Sequence, residues 1–271
     1  MASHAAFASQ YVDIASDDAP TRVARMLARD GMVTFDRVYQ RQSVVRLALR
    51  LLAPWRHRDA DADGVTVISD RGFIAARPGY AGFGARGLEP HTDSSSLDLP
   101  PRLVMLVCGR SADRGGESYV VDGAAVYHEL TSRSPELLKA LQQPRAVRFA
   151  SHWGSVFETV GDGWMRIRLR LDGVEHFTPP VAEAVPVLRA AIERHTREIV
   201  LLPGQGYLLD NWRMLHGRRN FRGPRRMYRV LGDPVAGCVL PPGFAPSPGR
   251  ALLPQQRIPE CPAALLSGEI S

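Results

Sequence analysis

The chain has 271 residues, 45% hydrophobic and 23% charged, with a formal net charge of +6. That is enough apolar sequence for one large domain or two small ones of ordinary globular make-up. The positive charge is almost all arginine, since Lys139 is the only lysine, and the arginines are scattered with little aromatic interleaving, so no nucleic-acid partner is expected. Three cysteines (Cys108, Cys238 and Cys261) without CxxC spacing indicate neither a disulfide framework nor a zinc-thiolate site. The N-terminus lacks the basic and apolar regions of a signal peptide, and no run is apolar enough to span a membrane. A cytoplasmic protein is expected.

In chain order, Asp18 and Pro20 start a helix over Thr21–Asp30 that Gly31 closes, followed by a strand over Met32–Phe35. Gln42–Leu52 has helical spacing and stops at Pro54. Val65–Ile68 and Gly72–Ala76 read as strands, and the glycine-rich stretch 79–87 reads as a flap rather than a phosphate cradle. Strands follow at Pro101–Cys108 and Ser118–Val121. Asp122 caps a helix through Leu130, and Ser134 with Pro135 starts another. After a strand at Val147–Ala150, Val156–Val160 and Trp164–Leu171 pair about Gly161-Asp162-Gly163. In the second arm Arg166, Arg168 and Arg170 alternate with apolar residues, which predicts a solvated arginine row. Val181–Arg197 is an amphipathic helix; strands at Ile199–Leu202, Tyr207–Asp210 and Met227–Leu231 complete the pattern. A proline-rich tail occupies 234–271. With no repeat and no linker, one domain (1–271, core about 20–233) is expected, of mainly β class with flanking helices (α+β), a β-sandwich or jelly-roll.

Chemistry concentrates at His91-Thr92-Asp93. In extended backbone, residues two apart share a face, so an imidazole and a carboxylate stand side by side. A third donor at His216 would give the two-histidine, one-carboxylate set that binds ferrous iron and leaves one face of the metal open. The other histidines lie in helical or polar-loop contexts. The same three donors would also serve a hydrolytic zinc ion or a non-catalytic jelly-roll binding protein.

Glu89-Pro90-His91-Thr92-Asp93, Gly115-Gly116-Glu117-Ser118 and Asp210-Asn211-Trp212-Arg213-Met214-Leu215-His216-Gly217-Arg218, in that order, resemble the Fe(II)/2-oxoglutarate oxygenases of the taurine dioxygenase superfamily. The last segment is most similar to the γ-butyrobetaine hydroxylase-like branch. The resemblance implies a double-stranded β-helix (jelly-roll) core, with His91, Asp93 and His216 as iron ligands. It implies Arg229, thirteen residues past His216, as the arginine for the distal carboxylate of 2-oxoglutarate, assisted by Ser118. Arginine suits that role because its fork is permanently charged and bidentate. Arg222, Arg225 and Arg226 compete for it, but sit in a Gly-Pro turn rather than alternating in a strand. The implied reaction consumes O2 and 2-oxoglutarate, releases succinate and CO2, and hydroxylates, desaturates or cyclises a small molecule, with secondary metabolism as the setting that the resemblance implies.

Taurine-oxidising members carry a second arginine where this chain has Asp233, and an asparagine where it has Gly87, so taurine is not expected. Asp233 points to an amine-bearing substrate. Arg77, Tyr80, Phe83 and Trp153 are the remaining candidates for lining its pocket.

Overall fold

Along the strand Leu103–Arg110, apolar side chains alternate between two clusters: Leu103, Met105 and Val107 on one side, Val104, Leu106 and Cys108 on the other. A strand apolar on both faces must be covered on both, and that need organises the structure. A computed structural model describes residues 2–247; Cys261 and the tail beyond 247 lie outside the described residues.

Leu103–Arg110 is central in an antiparallel sheet ordered Met32–Phe35, Gly206–Asp210, Leu103–Arg110, Arg226–Pro234, Leu52–Pro54, with Thr66–Ile68 also pairing to Arg226–Pro234. A second antiparallel sheet runs Thr196–Ile199, Ser118–Asp122, Met214–Arg218, Leu88–His91. The sheets face each other across a shared core. Val104, Leu106, Tyr207, Leu209 and Met227 come from the first, and Val120, Ile199 and Met214 from the second. Helices Ala19–Asp30 and Arg41–Leu51 cover the outer face of the first sheet. Helices Gly123–Arg133, Pro135–Leu141 and Pro179–Arg194 cover the second. No helix among the described residues is long and apolar enough to cross a membrane.

Three expectations from local pattern give way. Gly72–Ala76 is a 3-10 helix rather than a strand. The helix expected to end at Arg197 stops at Arg194, and Thr196–Ile199 joins the second sheet beside Ser118–Asp122. The arginine row is not solvated. Arg168 is 3% exposed and donates to the carbonyls of Ser95, Leu97 and Asp98, while Arg166 pairs with Glu158 and Arg170 with Asp172. The loop that follows Asp93 folds over this face, so its carbonyls replace water as acceptors.

Candidate active site

The antiparallel pairing of Met214–Arg218 with Leu88–His91 places His216 directly opposite His91, with ring centroids 4.4 Å apart. Asp93 follows in the turn beyond the strand. The donor atoms of His91, Asp93 and His216 all lie within 4.8 Å of one another, and all three residues are buried.

The protonation states suit a cation. Burial, reinforced by His216, lowers the His91 pKa to about 3, so its imidazole stays neutral. With Nδ1 donating to the Glu89 carbonyl at 2.9 Å, Nε2 keeps its lone pair free. Burial by itself would push Asp93 upward. The Arg229 guanidinium, and after it His216, outweighs burial and holds the carboxyl well below its usual range. Arg229 Nη1 donates to Asp93 Oδ1 at 2.8 Å, while Asp93 Oδ2 and His216 Nδ1 are buried without hydrogen-bond partners. Orphaned buried polar atoms are costly. Two imidazoles, that of His91 held neutral, and a carboxylate with a free oxygen fit a divalent metal ion.

The segment 210–218 supplies both a ligand and its supports. Asn211 is 1% exposed; its Oδ1 accepts from the Asp93 N–H at 2.8 Å, and its Nδ2 donates to the carbonyls of Asp93 (3.0 Å) and Pro101 (2.9 Å). Asp210 is gripped by Arg102 through two bonds of 2.7 Å, and Arg213 grips Asp122 at 2.9 and 2.7 Å. One short motif thus locks the turn carrying Asp93 to the strand carrying His216.

A cavity of about 490 Å³ opens on these three residues. Ser118, Arg229 and Phe83 line it, as do Pro78, Gly79 and Gly82 of the glycine-rich stretch. Tyr80, Arg77, Trp153 and Asp233 are not on its wall. Tyr80 lies under Arg58, with the guanidinium carbon 4.6 Å from the ring centre. Arg77 is exposed, and Trp153 packs under Arg145. Asp233 accepts from Trp55 Nε1 at 2.7 Å and from the Arg102 N–H at 3.0 Å. Its carboxylate braces two segments of the fold, which removes the basis for an amine-bearing substrate.

The wall also carries His57, Arg170, Tyr207 and Arg218, none singled out by sequence as site residues, and Arg225, which the sequence offered only as a competitor of Arg229. Arg218 was legible in principle, being two residues from His216 in an extended segment and so on its face. His57 and Arg225 sit in loops without periodicity. Burial, and after it Arg229, lowers the His57 pKa.

Residues 4–231 match the family described as Taurine catabolism dioxygenase TauD, TfdA family. The chain belongs to this family. Among curated relatives, it is 27% identical over 176 residues to the mitochondrial trimethyllysine dioxygenase of Rattus norvegicus, covering 56% of this chain and 40% of that protein. It is 28% identical over 198 residues to the uridine-5'-phosphate dioxygenase of a Streptomyces species, covering 66% of this chain and 70% of that one. The chain thus spans under half the length of the trimethyllysine enzyme. Among solved structures, asparagine oxygenase in complex with Fe(II), 2S,3S-3-hydroxyasparagine and succinate superposes with a TM-score of 0.62 at 18% identity, covering 80% of this chain and 79% of that one. The chain shares that fold.

Proposed function

We propose that this TauD-family chain is an Fe(II)- and 2-oxoglutarate-dependent dioxygenase that oxidises a small molecule. The convergence of His91, Asp93 and His216 beside an arginine, at the end of a cavity, carries the reading. Ferrous iron bound there would couple O2 reduction and decarboxylation of 2-oxoglutarate to succinate and CO2 with oxidation of a substrate C–H bond. The residues do the rest. His91 and His216 supply the imidazole donors, Asp93 supplies the anionic one, Asn211 fixes the Asp93 backbone, and Arg229 and Ser118 serve the dicarboxylate. The two facing sheets then form the double-stranded β-helix of a single domain spanning about 20–233.

The cavity favours an acidic substrate. Six arginines and two aspartates line it. Both aspartates are engaged, Asp59 with Arg58 at 3.4 Å and Asp93 with Arg229 at 2.8 Å. An ammonium group would find no free carboxylate on this wall, whereas a phosphate or carboxylate would find cations. The Streptomyces relative is named for a phosphorylated substrate.

The test is anaerobic addition of Fe(II) and 2-oxoglutarate followed by O2, with succinate measured across paired substrates such as uridine and uridine 5'-monophosphate. Succinate release that depends on Fe(II), and is stimulated by the acidic member of a pair, is expected. No succinate with any substrate, together with hydrolysis supported by Zn(II), would overturn the reading.

A further inference from the structure

The arginines on the cavity wall are not equally engaged. Arg229 pairs with Asp93 at 2.8 Å and Arg58 with Asp59 at 3.4 Å. Arg218 and Arg225 both lie against the Phe221 ring, with guanidinium carbons 4.7 and 5.6 Å from its centre. Arg56 is exposed. Arg170 differs from all of these in its place beside His91. The Thr92 N–H donates to the Leu169 carbonyl at 2.8 Å, and the Leu169 N–H donates to Thr92 Oγ1 at 3.2 Å. That pairing sets Arg170 next to the segment carrying His91 and Asp93. Its charge is felt at both, opposing a proton on His91 and attracted by the Asp93 carboxylate.

Asp172 takes one edge of the Arg170 fork. Nε donates to Oδ1 at 2.9 Å, and Nη2 donates to Oδ2. The side chains of the pair are 18% and 6% exposed. Burial by itself would push Asp172 upward, but the Arg170 guanidinium outweighs it and holds the carboxyl below its usual range, so the pair stays ionised. No acceptor among the described residues meets Nη1. A guanidinium carries a second two-pronged edge, Nη1 with the outer N–H of Nη2, and that edge is left for a ligand in the cavity.

The wall offered with it is apolar. Leu97, Phe149 and Val174 line the same cavity. Arg168, two residues before Arg170, donates to the Leu97 carbonyl and fixes that loop. Val174 follows Arg170 by four residues and leads into the small sheet in which Glu175 pairs with Phe149. In such surroundings a charge-assisted hydrogen bond gains strength.

We propose that the free edge of Arg170 holds an oxyanion of the oxidised substrate, a carboxylate or phosphate monoester, while Leu97, Phe149 and Val174 pack its apolar body. This rests on the functional reading above and gives its acidic substrate a specificity-determining residue, distinct from those that serve 2-oxoglutarate.

The probes are phenylacetate, phenyl phosphate and the neutral phenylacetamide, titrated by calorimetry into the anaerobic full chain loaded with Mn(II) and 2-oxoglutarate. The wild type should bind at least one acid about 10-fold or more tighter than the amide, and the better acid names the source of the oxyanion. Replacing both members of the pair, Arg170→Gln with Asp172→Asn, leaves no buried charge alone and should abolish that preference. Arg170→Lys, which keeps the charge and loses the second edge, should retain part of it. The affinity for 2-oxoglutarate should stay at the wild-type value in both variants, which also shows that they fold. Equal binding of acids and amide by the wild type, a preference that survives the double replacement, or a parallel fall in 2-oxoglutarate affinity would overturn the proposal. Failure of the wild type to bind 2-oxoglutarate with Mn(II) would instead overturn the functional reading, and the proposal with it.

Discussion

Replacing Asn211 by alanine isolates the device that ties the two halves of the candidate metal site together. The Asn211 amide makes three buried hydrogen bonds of 2.8, 3.0 and 2.9 Å, two of them to the Asp93 backbone. Asn211→Ala removes all three and leaves one N–H and two carbonyls without a partner in a region closed to water. At about 1 kcal/mol net for each bond, the loss is about 3 kcal/mol. For a chain of this size that corresponds to a fall in Tm of about 6 to 12 °C. Because the lost bonds position a ligand, Mn(II) affinity should also drop by about 10-fold or more. Asn211→Asp is the informative companion. It keeps an acceptor for the Asp93 N–H but sets carboxylate oxygen against two carbonyl oxygens, so it should be at least as destabilising as alanine. Urea unfolding and Mn(II) titration by electron paramagnetic resonance measure both effects. An Asn211→Ala protein within about 0.5 kcal/mol of wild type, or an Asn211→Asp protein more stable than Asn211→Ala, would refute the reasoning.

Asp210→Asn should cost about 3–5 kcal/mol in urea unfolding, because it leaves the Arg102 charge buried where the side chains of the pair are only 6% and 4% exposed. Gly217→Ala should lower Mn(II) affinity by about 10-fold or more; its Cβ would meet the Tyr119 hydroxyphenyl ring and come within 2.5 Å of the Leu88 carbonyl oxygen, displacing the strand beside His216. The metal-free protein should lose stability in mild acid. The unfolded His91 imidazole takes a proton near pH 6.5, while the folded one resists it to about 3. Its contribution is therefore present above about 6.5 and lost as pH falls, by about 2 kcal/mol between pH 7 and 5. Chemical denaturation across that range should show the slope, and His91→Gln should flatten it.

Much of this was written locally. Met32–Phe35 is a strand with the bounds its apolar run predicts, because four apolar or β-branched residues after a helix-closing glycine leave little choice. Asp122 caps its helix by accepting from the Ala124 N–H at 3.0 Å, as a short acidic side chain before a helical run should. The segment ending at His216 was readable for the same reason, since side-chain direction in extended chain follows from residue parity, whereas Asp93 takes its direction from a turn held by Asn211. What failed did so where a partner distant in sequence set the environment. Arg168 alternates as a solvent-facing residue would, yet the carbonyls of Ser95, Leu97 and Asp98 enclose it. Asp233 occupies the position from which a carboxylate could have greeted an amine, yet Trp55 claims it from a segment far away in sequence.

The order of residues alone determined which side chains could be metal donors and the strands around them, since these depend on residue type and a period of two. Only the tertiary structure decided that His216 stands across from His91, that Arg229 reaches Asp93, and that Arg225 is buried on the cavity wall with no carboxylate partner among the described residues. Those outcomes depend on strand pairing and burial between segments more than a hundred residues apart, and no local pattern specifies either.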